Sequence, residues 1–157
     1  MRRVVAVGTT FALLAVIACG GNEASSADSS AAAAPAAAPS VTAADFAGTW
    51  TITTRNESGD SVLVTSELVA TADTTGWTIV LPGRPPIPTR VVAIGGDSVV
   101  TRTEAYESIL RKGVQVWTES VLHLQNGQLT GTTTAHYSNT NSADSVRVLR
   151  AEGVKKQ

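Results

Sequence analysis

Cysteine is almost absent from this chain of 157 residues, in which Cys19 is the only one. A single thiol cannot form a disulfide within the chain, and it cannot supply a structural zinc site, which needs several thiolate or imidazole ligands. We therefore expect the folded part of the chain to be stabilised by side-chain packing alone.

The chain also lacks an excess of charge of either sign, with 12 basic and 13 acidic residues and a net charge of -1. Like charges adjoin only in short pairs, such as Arg111 with Lys112 and Lys155 with Lys156. Because nucleic-acid binding needs a basic surface, this balance gives no reason to expect a nucleic-acid partner.

Long hydrophobic stretches are missing as well, apart from one at the N-terminus. Arg2 and Arg3 precede an apolar run at residues 4–17, which is interrupted only at residues 8–10. A membrane-spanning helix needs about 20 apolar residues, so the run is short for a span. A basic start followed by an apolar run of this length is typical of an export signal.

The end of this run, residues 16–20, reads Val-Ile-Ala-Cys-Gly and resembles the bacterial lipobox. In that family the cysteine thiol is lipidated and the chain is cut just before it. The resemblance implies that residues 1–18 are a signal peptide and that Cys19 becomes the lipidated N-terminus. The alternative is a conventional signal that is cleaved later, among the alanines.

The residue after the cysteine carries a further implication of the lipobox. Retention in the inner membrane is signalled in that family by an aspartate at this position, and the chain has Gly20. The resemblance therefore implies a lipid anchor in the outer membrane, with the protein facing the periplasm. Residues 19–44 are dominated by Ala, Ser and Gly with two prolines, which predicts a disordered tether.

Residues 45–157 have a different pattern, with short runs rich in Val, Ile, Thr and Trp that are bounded by Gly, Asp, Asn or Pro. This pattern predicts strands. The predicted strands are residues 49–55, 61–70, 76–81, 90–94, 98–104, 114–125, 128–137 and 145–151. Asn126 and Gly127 predict a tight hairpin, because a type I′ turn needs positive φ at both central residues.

Alternation along the longest strands predicts which side chains point inward. In residues 114–125 the inward set begins at Val114 and continues at every second residue to Leu124. The same rule places Gly131 and Ala135 inside. Such small residues either leave space in the interior or accommodate a tryptophan from the opposite wall.

Two segments break the strand pattern. Residues 82–88 contain four prolines, which lack the backbone N–H that a central strand must donate, so we expect an exposed loop. Residues 106–113 are predicted to form one or two helical turns that end at Gly113.

Eight antiparallel strands joined by short connections predict an all-β fold, a single up-and-down barrel. Residues 46–50 read Phe-Ala-Gly-Thr-Trp and resemble the start of the lipocalin and related calycin barrels. The resemblance implies that Trp50 lies across the closed end of the barrel. It also implies that an arginine of the last strand, Arg147 or Arg150, packs over the indole.

The sequence shows little sign of catalysis. His123 and His136 are predicted on outward faces and well apart, because pairing around the hairpin places His123 opposite Thr130. No Gly-x-Ser-x-Gly motif or phosphate-binding glycine loop is present. We therefore expect no enzymatic activity, no metal and no cofactor.

Four basic residues lie in or near the two irregular segments, namely Arg84, Arg90, Arg111 and Lys112. If these segments meet at one barrel mouth, the cations could receive an anionic head group. The alternative is that they are separate, solvated side chains.

Two hypotheses of function remain. The first is a membrane-anchored binder that holds a small apolar or lipid-like ligand in the barrel. A filled interior, with no cavity above about 100 Å³, would count decisively against it, because ligand pockets usually begin at about 300 Å³. The second is a packed barrel that serves as a structural or interaction module of the envelope, with Trp117 exposed to a protein partner.

Overall fold

The computed structural model describes residues 40–138, 141 and 144–157. These residues form one short helix and nine strands: α1 (Ala43–Phe46), β1 (Gly48–Asn56), β2 (Val62–Ala70), β3 (Thr78–Val80), β4 (Ile87–Gly95), β5 (Ser98–Thr103), β6 (Tyr106–Glu107), β7 (Gln115–Gln125), β8 (Gln128–Tyr137) and β9 (Val146–Lys155). The predicted signal peptide, Cys19 and the tether up to residue 39 lie outside the described residues.

The strands form a closed, antiparallel barrel of eight strands, which confirms the predicted fold class. Consecutive strands pair from β1 to β5 and from β7 to β9, and the pairings of β5 with β7 and of β9 with β1 close the ring. The two-residue strand β6 adds to the start of β7, so that β7 pairs with both β5 and β6. Among the described residues, no helix is long and apolar enough to cross a membrane.

Antiparallel pairing places the connections at two ends of the barrel. The start of β1 and the ends of β2 and β9 lie at one end, which we call the closed end. The hairpin turn between β7 and β8 lies there too. The opposite end, which we call the mouth, carries the loop after β1, the proline-rich loop and the segment around β6.

Aromatic side chains fill the closed end. Trp50 is 1% exposed, and its indole N–H donates to the carbonyl oxygen of Phe46 at 2.7 Å. Phe46 belongs to α1 and packs against Trp77, with 6.2 Å between the ring centroids. The amide of Val41 donates to the carbonyl of Gly96 at 2.8 Å, so residues just before α1 also contact the barrel.

A lysine, and not one of the two arginines implied by the lipocalin resemblance, lies over Trp50. The Lys155 ammonium is 5.4 Å from the indole centroid, since β9 runs four residues beyond its predicted end. Arg147 instead donates to the Asn56 side chain, and Arg150 pairs with Asp60 at 3.0 Å. Both arginines therefore contact the mouth end of β1 and the loop after it.

The hairpin at Asn126 and Gly127 has the predicted register. Gln125 pairs with Gln128, and both turn residues have positive φ, 52° and 74°. Farther along the same pair of strands, a Cβ built on Gly131 would clash with the carbonyl oxygen of Val121 and lie 3.0 Å from its carbonyl carbon. The glycine therefore permits a close approach of two backbones.

Two predictions of local structure are wrong. Residues 106–113 form the short strand β6 and a turn, because Ser108 donates its amide to the carbonyl of Val114 and so closes a hairpin-like loop. Residues 82–88 are not all loop, since Ile87 and Pro88 begin β4. Proline is tolerated at the start of a strand, where its missing N–H is not needed by a neighbour.

Candidate functional site

The candidate site is a cavity of about 80 Å³ in the mouth half of the barrel. This is well below the roughly 300 Å³ at which pockets for larger ligands begin. Since one water takes up about 30 Å³ of the liquid, the cavity has room for two or three waters or one very small organic molecule. The cavity is smaller than the limit of about 100 Å³ set in the sequence analysis, so it counts against an apolar or lipid-like ligand held in the barrel.

Hydroxyl groups line two opposite walls of the cavity. Thr101, Ser120 and Thr133 form a row across β5, β7 and β8, because Thr101 pairs with Ser120 and Ser120 pairs with Thr133. Thr54 and Ser66 face this row from β1 and β2. In a ring of eight strands, β1 lies opposite β5 and β2 lies opposite β7. The hydroxyls therefore line the cavity from both sides.

Some of these hydroxyls are paired within the wall. The Ser120 and Thr133 oxygens are 2.8 Å apart, within hydrogen-bonding distance. Nearer the mouth, the hydroxyl oxygen of Thr103 accepts from the amide of Thr118 at 2.9 Å. These bonds order one wall of the cavity.

Three other hydroxyls have no such partner. Thr54, Ser66 and Thr101 are 8%, 6% and 5% exposed, and their hydroxyls form no hydrogen bond with any other described residue. Among the described residues, Arg150 Nε is the one side-chain polar atom that is both fully buried and unpaired, so these three hydroxyls face space that a water molecule can reach. These groups therefore favour an occupant of the cavity that can donate and accept hydrogen bonds.

Most of the remaining lining is apolar, and none of the described residues in it is charged. Ile52, Leu68, Leu122 and Leu149 line the cavity beside the hydroxyls. Tyr106 also lines it, and burial raises the pKa of its phenol, against the smaller opposing effect of a hydrogen bond with Thr118. The phenol therefore stays neutral at physiological pH.

Residues 108–113, which we call the cap, lie at the mouth, and Ser108, Ile109 and Leu110 line the cavity. The Ser108 hydroxyl accepts from the amides of Leu110 at 3.1 Å and Arg111 at 3.0 Å, which explains the turn at this point. Gly113 donates its amide to the Glu107 carboxylate at 3.0 Å. The cap is therefore held largely by local hydrogen bonds.

The two irregular segments do meet at the mouth. Arg84 of the proline-rich loop donates to the carbonyl of Glu107 at 2.7 Å. Arg111 donates to the carbonyl of Asp144 at 2.8 Å and lies 4.1 Å from the ring centroid of Tyr137. Both guanidinium groups thus fasten the mouth segments to the barrel.

The other two cations of the predicted set do not contribute to this arrangement. Lys112 is exposed in the turn of the cap. Arg90 is exposed on the outside of β4, where it pairs in register with Arg102. The structure therefore does not gather the predicted basic residues into one anion site.

No protein family model matches this chain, and neither a curated protein nor a solved structure matches it.

The histidines lie on the outer wall, as predicted. His123 pairs in register with Thr130, and its Nδ1 is 2.9 Å from the Asp97 carboxylate. His136 stacks on Trp117, with 3.8 Å between ring centroids. Within residues 40–138, 141 and 144–157, no three His, Cys, Asp or Glu side chains form a group that could hold a metal ion.

Trp117 is less available than the sequence suggested. It is half-buried, since His136 stacks on it and the guanidinium of Arg102 lies 4.5 Å from its centroid. Arg102 is itself fixed by Glu119 at 2.7 Å. The indole is therefore packed into the outer wall.

The unpaired hydroxyls are not among the site residues predicted from the sequence. Alternation along β7 and β8 predicts that Ser120 and Thr133 point inward, but it does not relate them to Thr54, Ser66 and Thr101 on other strands. The signal that could have found them is a polar residue within the inward set of each of several strands. These residues line the same cavity only because the strands close into a barrel.

Proposed function

We propose that this chain is a lipid-anchored protein of the bacterial cell envelope whose barrel binds a small molecule in the cavity beneath the cap. The observation that carries the binding role is a set of three buried residues, Thr54, Ser66 and Thr101, whose unpaired hydroxyls line one cavity. The proposed role is binding without catalysis, which is supported by the position of both histidines on the outer wall.

The anchor is proposed from the sequence alone, through the lipobox resemblance around Cys19. Labelled palmitate should be incorporated into the native chain and not into Cys19→Ser, whereas Ser25→Ala should still be labelled. Gly20→Asp should move the protein from the outer-membrane to the inner-membrane fraction. Labelling of Cys19→Ser would contradict the anchor.

Binding is tested by native mass spectrometry of the full chain extracted from its own envelope. We expect a population whose mass exceeds that of the lipidated chain by one small, non-covalent molecule, which is lost on collisional activation. A mass that always equals that of the lipidated chain, together with no uptake of added small molecules, would contradict the binding role.

A second candidate is an interaction module, and it is favoured by an exposed apolar patch on β9. Val146 and Val148 are 50% and 38% exposed, and Val146 pairs in register with His136, beside Trp117. Photo-crosslinking from position 148 in cells would test it. A specific adduct with one envelope protein that is lost in Val146→Ser would favour this function.

A further inference from the structure

We propose that the cavity selects a small uncharged molecule bearing a hydroxyl or amide group, and that this group is held deep in the barrel by Ser66 and Thr101. The inference rests on the proposed binding function and specifies the chemistry of the same site. It differs from the expectation of an anionic ligand held at the mouth.

The unpaired hydroxyls of Ser66 and Thr101 lie in two different walls of the barrel. Ser66 lies in the wall formed by β1 and β2, and Thr101 lies in the wall formed by β5 and β7. Each hydroxyl offers one donor and two acceptor sites. A ligand group that both donates and accepts can therefore bond to both walls.

The lining of the cavity favours an uncharged ligand. Among the described residues no charged side chain lines the cavity, and Tyr106 is neutral at physiological pH, since burial raises its pKa above the ordinary value of 10.0. A carboxylate in this space would lose its hydration without gaining a cation, which is strongly unfavourable. Arg84 and Arg111 do not supply one, because their guanidinium groups bond to backbone carbonyls at the mouth.

The lining of the cavity also has an apolar part, which favours a ligand with an alkyl group. Leu68, Leu122 and Leu149 border the same space as the hydroxyls. Waters alone would satisfy the hydroxyls but would leave these side chains in contact with water. A short alcohol or amide satisfies both surfaces, with its alkyl group against the leucines.

The test uses probes of matched size with the full chain in detergent: isopropanol, acetamide, acetate and isobutane. Methyl resonances of Leu68 and Leu122 report occupancy by NMR. We expect isopropanol and acetamide to bind more tightly than isobutane, and acetate not to bind.

Two cavity variants and one control locate the polar contact. Thr101→Val and Ser66→Ala remove a hydroxyl with little change of shape, and each should weaken isopropanol binding roughly threefold to tenfold. Thr101→Val should bind isobutane at least as well as the native chain. Thr132→Val, on the exposed face of β8, should change neither affinity.

The outcomes separate the inference from the proposed function. If isobutane or acetate binds as tightly as isopropanol, or if Thr101→Val leaves isopropanol binding unchanged, the inference is wrong and the binding function stands. If the cavity holds only exchangeable water and no probe shifts its resonances, both are wrong.

Discussion

The ammonium nitrogen of Lys155 lies 5.4 Å from the ring centroid of Trp50, so the last strand covers the first at the closed end of the barrel. Gly48 makes room for this contact, because a Cβ at that position would lie 2.7 Å from the Cε atom of Lys155. The Gly-x-Trp sequence and the lysine therefore form one structural unit, with the glycine admitting the lysine stem.

Replacing the cation tests this unit. Lys155→Met keeps most of the stem and removes the charge, so we expect the free energy of unfolding to fall by about 0.5–1 kcal/mol. Lys155→Arg should retain most of the stability. Urea denaturation measures the change, with Lys112→Met in the exposed turn as the control. Equal stability of the two methionine variants would show that the cation over Trp50 contributes nothing.

Gly131 should not tolerate even a methyl group. A Cβ there would clash with the backbone of Val121 in the paired strand, so Gly131→Ala must push β7 and β8 apart. We expect a loss of about 1–3 kcal/mol in the free energy of unfolding. Gly95→Ala is the matched control, since no atom lies within 4 Å of its added Cβ. If both variants unfold at the same urea concentration, the strands do not approach as closely as described.

Acid should weaken contacts of the hairpin between β4 and β5. The hydrogen bond with His123, and then that from Gln125, hold the pKa of Asp97 below its ordinary value of 3.8. Because the folded-state pKa is the lower one, the stabilising effect of this carboxylate is present above pH 3.8 and is lost as the pH falls through the folded-state pKa. His123→Ala should therefore raise the pKa of Asp97 towards 3.8.

An NMR titration of the Asp97 carboxyl carbon measures this pKa directly. His136→Ala is the control, because His136 stacks on Trp117 and lies on a different part of the outer wall. An unchanged pKa of Asp97 in His123→Ala would rule out the assigned cause.

The cap should loosen when its link to the proline-rich loop is removed. Arg84→Gln shortens the side chain that donates to the Glu107 carbonyl. We expect amide hydrogen exchange at Ser108 and Gly113 to accelerate roughly threefold to tenfold, the effect of one hydrogen bond. Arg90→Gln, on the exposed face of β4, should leave both rates unchanged. The same acceleration in both variants would mean that Arg84 does not fasten the cap.

The barrel could be predicted from the sequence because its signals are local. Alternation along residues 114–125 and the turn at Asn126 and Gly127 specify strand faces and register without reference to distant residues. The same local rules misassigned residues 106–113. There the hydrogen bond between Ser108 and Val114 and the pairing with β7 outweigh a weak helical pattern.

The chemistry of the site depends on contacts between distant residues and was only partly predictable. Thr101 and Ser66 are on different strands, and they line the same cavity because of the order and closure of the ring. The contact of Lys155 with Trp50 is not predicted from the sequence, because the predicted last strand ends at Ala151 and β9 continues to Lys155. The basic residues show the same dependence on the fold, since Arg90 is close to Arg84 in sequence but lies on the outer wall.

The binding of a small molecule in the cavity is tested most directly by a crystal structure, at about 1.2 Å resolution, of the full chain purified from its own envelope. We predict one continuous density between the two walls, with a polar atom within hydrogen-bonding distance of both Ser66 and Thr101. Separate spherical densities at water spacing, with no difference between chain purified from its envelope and chain refolded in buffer, would contradict the proposal.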